Sequence, residues 1–384
     1  MATRLNKGLA NRQGGMGNTL KPAADGAFKP LKVEKASAKA AVAASSNCPV
    51  QAAISQVIPA SRAIRSKRIK VVQEIVRTAG KEGGFVSVRE RPDNVQDIYI
   101  DEIGNESLVC AYVEHIYAYL HQREKDVVAA NYMDKLSVNT RMRAILIDWM
   151  VSVQYKFHMC QDTLYLAVSI VDRFMSTPEL DITKEELQLV GVTALFIASK
   201  FEEVYPPEVS DFAYIADNAC TKAQILETEL VISQTLNFDF TRPNSNHFLR
   251  RCSKAAQSDA EDYVMAKYIC ELALLDCSFV AVYSSLTAAA AMYLMLNIQA
   301  QRLADGSSMD LSDDSSTLWT ADLEYYSMYK EKEVQPIAQR LLAMVQAAPT
   351  AKQQCIFKKY SSKKMFEVST IVSQSVESLT LPQL

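Results

Sequence analysis

The sequence predicts an all-α protein: two tandem five-helix units behind a disordered, basic N-terminal tail. Three observations carry that prediction. Apolar residues recur at helical spacing after residue 100, and almost nothing between 100 and 350 alternates as a strand does. Leu187 to Ala198 and Ser284 to Leu296 are apolar on nearly every side, the mark of a helix buried as an axis for others. These two stretches lie about one hundred residues apart, so one arrangement is used twice.

The tail comes first. Residues 1–95 are rich in Gly, Ala, Ser, Lys and Arg, and Phe28 is the only aromatic residue before Phe85. Such a segment buries too little apolar surface to offset its conformational entropy. Residues 1–93 hold 17 Lys+Arg against 6 Asp+Glu, leaving 24 against 38 for the rest, so a basic tail precedes an acidic body. Ser61 to Lys70 packs five basic residues into ten. It reads as a nuclear-import or acidic-surface patch, and equally as a solvated charge run.

The globular part begins near Asn94. Leu108, Tyr112, Ile116 and Leu120 recur every fourth residue and predict a helix that lies across a neighbouring domain. Asn139-Thr140 then caps a helix over about 140–158, in which Met142, Ile145, Leu146, Trp149 and Val153 form one stripe. Taken alone, that stripe is an ordinary core face. Gln161-Asp162-Thr163 opens a helix over about 163–175, and Thr183 with Glu186 forms a capping box for one over about 184–202. Pro206-Pro207 ends it, a short helix follows at about 208–215, and Thr221 caps a fifth running to about Leu236.

After Pro243 the second set falls at about 244–256, 259–276, 284–298, 318–328 and 330–346. The polar stretch Asp305 to Thr317, with three more aspartates and five serines, predicts a mobile surface insertion.

Composition and motif searches exclude several classes of function. No apolar run reaches membrane-spanning length, and Arg4 and Lys7 are not followed by the apolar core of a secretory leader. Eight cysteines and four histidines are scattered without a C-x-x-C pair, which predicts a reducing compartment and no metal site. No phosphate loop, dinucleotide fingerprint, nucleophile elbow or H-E-x-x-H occurs. Neither a catalytic constellation nor a cofactor is expected, and the sequence reads as a binding or regulatory protein. Two charges stand out by position: Lys200 closes the first apolar helix, and Glu229 lies among Ile225, Leu226 and Leu230. Each is either a snorkelling rim residue or an anchor presented to a partner.

Several stretches closely resemble the cyclins, most of all the mitotic B-type. They are Met142 to Val151, Leu187-Gln188-Leu189-Val190-Gly191, Ala198 to Glu203, Tyr205 to Val209 and Phe248-Leu249-Arg250-Arg251. The resemblance runs from about Asp97 to Lys364, with its motifs in the family's order. It implies tandem cyclin boxes, at 96–241 (with a preceding helix) and 242–370, and a C-terminal tail at 371–384. The implied function is that of a non-catalytic activator of a mitotic cyclin-dependent kinase, working in nucleus and cytoplasm. Lys200, Glu229, Phe201 and Glu202 would meet the kinase. Arg143 and Asp172 match a buried structural pair. Met142, Ile145, Leu146, Trp149 and Gln188 match the docking patch for substrates or inhibitors with an Arg-x-Leu motif, with Met142, Leu146 and Trp149 as its exposed edge. Arg250 and Lys267 match a phosphate pocket of the B-type.

Three departures accompany the match. A-type cyclins place a glutamate where this chain has Ser152, the pocket's histidine is Tyr263 here, and residues 1–95 hold no R-x-x-L-x-x-x-x-N destruction box. Two rival readings are a transcription-associated cyclin and a nucleic-acid-binding scaffold on the same fold. The acidic balance of the body argues against direct nucleic-acid binding.

Overall fold

The computed structural model describes residues 89–381 apart from 103–104, 126–131, 178–181, 218, 307–317 and 377–378. Residues 1–88 of the tail expected to be disordered, its basic run and nearly all of the 305–317 insertion lie outside the described residues. Residues 89–95 are described: Tyr325 OH donates to the Arg89 carbonyl at 3.1 Å and Val95 is buried, so the folded body starts before the boundary expected at 95–96. Every regular element among the described residues is helical, and none is long and apolar enough to cross a membrane.

Residues 99–116 fall in a separate compact unit. They form two 3-10 turns, Ile100–Glu102 and Glu106–Leu108, and the start of helix α1 (Val113–Arg123). The expected every-fourth stripe is not a single helix face. Val109 adopts a left-handed φ of 44°, which a β-branched residue takes only under constraint, and it separates Leu108 from the helix. Leu108, Tyr112 and Ile116 are exposed, while Val113 is buried.

Both helical units belong to the other compact body. The first comprises α2 (Thr140–Lys156), α3 (Gln161–Met175), α4 (Leu187–Glu202), α5 (Val209–Ile215) and α6 (Lys222–Thr235). Asn139 holds extended backbone and its Oδ1 accepts the Met142 N–H, which starts α2 where its apolar stripe begins. Thr221 does the same for α6 through the Gln224 N–H. The Thr183–Glu186 contact forms, but it precedes the helix, and α4 begins three residues later than expected, at Leu187. α4 is the axis: Val192, Ala194, Leu195 and Ala198 are fully buried, with α2, α3 and α6 packed around it. α4 and α2 approach closely at Gly191, where a Cβ would stand 2.6 Å from Leu146 Cδ1.

The second unit comprises α7 (Ser245–Ala255), α8 (Ala260–Ala273), α9 (Ser284–Gly306), α10 (Ala321–Ser327) and α11 (Glu331–Ala347). Its axis is α9, where every residue from Ala288 to Met295 is 0 or 1% exposed.

Two helices were not foreseen. α12 (Cys355–Tyr360) returns to the first unit, and α13 (Val368–Ser375) packs on the second, running through the boundary expected at 370–371 with Val368 and Val372 fully buried. Their brevity left no periodicity to detect. α12 lies against α2 and α8. Asp148 Oδ1 accepts the Cys355 N–H at 2.8 Å, and the buried Lys359 donates to Gln154 Oε1 at 3.1 Å and to Glu271 Oε1 at 2.7 Å. A charge as buried as Glu271 is tolerable only with such partners, and Tyr360 supplies another hydrogen bond at 2.9 Å.

Candidate functional site

Lys200 lies in the last turn of α4, where unpaired carbonyls favour a cation. Its ammonium stands 4.2 Å from the Phe196 ring centroid and forms an ion pair with Glu229 of α6. The lysine side chain is 40% exposed, so the pair contributes little to stability. Around it the surface is apolar. Phe201, edge-on to Phe240, is exposed, as are Leu226 and Leu230 on either side of Glu229 along α6. Val204 and Tyr205, just beyond α4, are 84 and 91% exposed. Contiguous large apolar residues left to solvent mark an interaction surface. Glu202 is exposed at its edge; partial burial, then the nearby Asp162 and Glu203 charges, raise its carboxyl above the ordinary value. Glu203 does a different job, accepting the Cys160 N–H and the Thr163 hydroxyl at the start of α3.

The sequence reading placed Phe201, Leu226 and Leu230 beside the two charges but missed Val204 and Tyr205 and left open which of these leucines and isoleucines face solvent. A signal for the latter existed: α6 carries buried Ile225 and Ile232 on one face and Leu226 and Leu230 on another, and a helix at a unit's edge cannot bury both.

On α2 the structure corrects the expected docking edge. Met142 and Ile145 are half-buried, as is Gln188 on α4, but Leu146 and Trp149 are buried at 6 and 9% exposure. The close approach at Gly191 covers Leu146, and beyond it Ile147, Met150, Val151 and Val153 all turn fully inward. The accessible edge is therefore Met142, Ile145 and Gln188. Ser152 Oγ donates to the Trp149 carbonyl at 2.7 Å.

Arg143 and Asp172 meet in the core between α2 and α3. Nε and Nη2 donate to the two carboxylate oxygens at 2.7 and 2.8 Å, and Tyr132 OH donates to the same carboxylate at 2.7 Å. Burial works against the charged guanidinium, and Asp172 more than reverses it, so the Arg143 pKa rises.

Arg250 Nη2 is 3.1 Å from Asp162 Oδ2, and Asp162 also accepts from Asn244 and Asn246. Arg250 and Tyr263 share an open hollow with Ser253 and Lys254 that Lys267 does not line. The Lys267 ammonium stands 5.5 Å from the Tyr263 ring centroid, and burial lowers its pKa. An anion reaching Arg250 therefore competes with Asp162. Among the described residues no group of His, Cys, Asp and Glu could hold a metal ion.

Residues 115–241 match the family model for the cyclin N-terminal domain, and residues 243–374 match that for the cyclin C-terminal domain. The chain belongs to the cyclin family. Curated cyclins similar to it are G2/mitotic-specific cyclin-B proteins. That of Patella vulgata is 43% identical over 287 residues, 74% of this cyclin and 66% of the relative. That of Spisula solidissima is 43% identical over 281 residues, 73% and 62% of the two chains. For Marthasterias glacialis the figures are 42% over 280 residues, 73% and 68%. The match thus spans just under two thirds of the first two relatives' length. Among solved structures, a viral cyclin from herpesvirus saimiri aligns with a TM-score of 0.48 at 20% identity, covering 60% of this cyclin and 97% of that chain.

Proposed function

We propose that this cyclin is the non-catalytic activating subunit of a mitotic cyclin-dependent kinase, serving the G2/M transition in nucleus and cytoplasm. The observation that carries this reading is the Lys200–Glu229 pair set among Phe201, Val204, Tyr205, Leu226 and Leu230. An exposed ion pair ringed by apolar side chains suits a partner's helix, with charge fixing register and apolar area giving affinity. In the cyclin family such a surface meets the kinase's mobile helix. Holding that helix inward brings a kinase glutamate to the catalytic lysine and opens the activation segment. The kinase interface should bury on the order of 2,000–5,000 Å². The relatives' names support the mitotic timing.

Two further sites belong to the same reading. Met142, Ile145 and Gln188 are a docking edge for Arg-x-Leu substrates or inhibitors, supported from beneath by Leu146 and Trp149. Arg250 serves phosphorylated partners once Asp162 is displaced, with Lys267, behind Tyr263 and outside the hollow, adding charge at longer range. Affinity capture of the full chain from dividing cells, with mass spectrometry, tests the central claim. Recovery of a serine/threonine kinase with histone-phosphorylating activity supports it; recovery of nucleic acid without a kinase overturns it.

A further inference from the structure

Between Glu333 and Glu367 the chain has no carboxylate, although the body as a whole is acidic. That stretch holds Arg340, Lys352, Lys358, Lys359, Lys363 and Lys364. Arg340 bonds to Ser278, and Lys359 is buried on Glu271. The other four lysines are exposed, and none of their ammonium groups makes a hydrogen bond or ion pair among the described residues. They flank or lie on α12 and the 3-10 turn Lys363–Met365 that follows it.

The middle of this row borders α2. α12 packs along α2, and the Lys358 ammonium stands within electrostatic reach of the Asp148 carboxyl. Asp148, Ser152 and Tyr155 share one stripe of α2, at i, i+4 and i+7, with Ile145 one turn before Asp148. The stripe offers little negative charge to a ligand. Asp148 is half-buried and engaged by the Cys355 N–H, and the Ser152 hydroxyl is turned onto the Trp149 carbonyl. Tyr155 on α2 and Phe366 beyond α12 are both exposed and add apolar area. Lys358 therefore puts an unpaired cation at the edge of this stripe.

We propose that Lys352, Lys358, Lys363 and Lys364 receive a carboxylate-rich segment of a protein whose apolar residues sit on Met142 and Ile145. The proposal rests on the docking reading. It assigns that site a preference for acidic flanks over the motif's arginine. Charge complementarity selects this occupant over nucleic acid, since four lysines on an otherwise acidic body neutralise too few phosphates to hold a duplex.

The test uses the full chain and three labelled peptides that share one leucine-bearing core and differ only in a flank of glutamate, glutamine or lysine. The glutamate peptide should bind about tenfold tighter than the glutamine peptide at low salt. That preference should vanish at high salt and in the triple variant Lys358→Gln, Lys363→Gln, Lys364→Gln. Because these side chains are exposed, the variant should melt with the wild type. Equal binding of the glutamate and glutamine peptides, or a preference that survives in the triple variant, overturns the proposal. So does labelled duplex DNA that binds the wild type, not the triple variant, more tightly than any peptide. Loss of binding by all peptides, or indifference of the glutamine peptide to Ile145→Ala, overturns the docking reading instead.

Discussion

Arg143 grips Asp172 through two hydrogen bonds, and the remaining arm of the same guanidinium donates to the Leu274 carbonyl at 2.9 Å. One side chain of the first cyclin box thus ties that box's core to the end of a helix in the second. Arg143→Ala leaves the Asp172 carboxylate buried and unpaired. It should destabilise the protein by about 3–5 kcal/mol, read as a lowered denaturant midpoint. A loss below about 1 kcal/mol would contradict the buried geometry.

Lys200→Ala should behave in the opposite way. The lysine is partly exposed and its partner Glu229 remains near solvent, so thermal melting should stay within a few degrees of the wild type. Kinase activation in a reconstituted phosphorylation assay should be lost. A well-folded Lys200→Ala protein that activates fully would remove the kinase-binding assignment.

Gly191→Ala tests how the proposed docking edge is supported. Alanine gains about 1 kcal/mol in helix propensity. Its Cβ, however, meets Leu146 at three atoms between 2.6 and 3.2 Å, so no small rotation frees it. Overpacking of this kind costs about 1–3 kcal/mol, and a net loss of stability is expected together with weaker docking-peptide binding.

Ile145→Ala and Trp149→Ala should separate binding from folding. Ile145 is half-buried at the accessible edge, and its truncation should weaken docking peptides with a modest stability loss. Trp149 is buried, so its truncation should cost about 3–5 kcal/mol and confound any binding measurement. Paired titration and denaturation curves distinguish the two.

The acid limb of the stability curve should report on Asp239. Partial burial alone would raise its pKa, but hydrogen bonds from Arg123 and Thr241 and the charge of Arg242 hold it at about 2 instead of the ordinary 3.8. A depressed folded value means the stabilisation is complete above about pH 4 and disappears as pH falls towards 2. Asp239→Asn should flatten the slope in that window and leave the neutral-to-alkaline limb unchanged.

The long helices were legible in the sequence because caps and periodicity agree at Asn139 and Thr221 and because the two axis helices have no polar face. Lys200 and Glu229 were legible as charges out of place. Their mutual contact was not, since no local rule joins positions on different helices. The docking stripe shows the same limit. Spacing identifies a face at Met142 to Val153, but only tertiary packing, at Leu146 the approach of α4 at Gly191, decides that Leu146 and Trp149 are buried while Ile145 is only half-buried. Lys359 reads as one more surface lysine until Glu271 is seen opposite it.

The return of α12 to α2 has a temporal consequence. Asp148 and Cys355 are separated by 207 residues, and Gln154 and Lys359 by 205. At the usual pace of translation, roughly 5–20 residues per second, the first box waits on the order of 10–40 s for the segment that completes one of its faces. During that interval Asp148 and Gln154 lack these partners. The nascent first box is thus a different surface from the finished one, and α2 gains its last neighbours only when synthesis of the second box is nearly done.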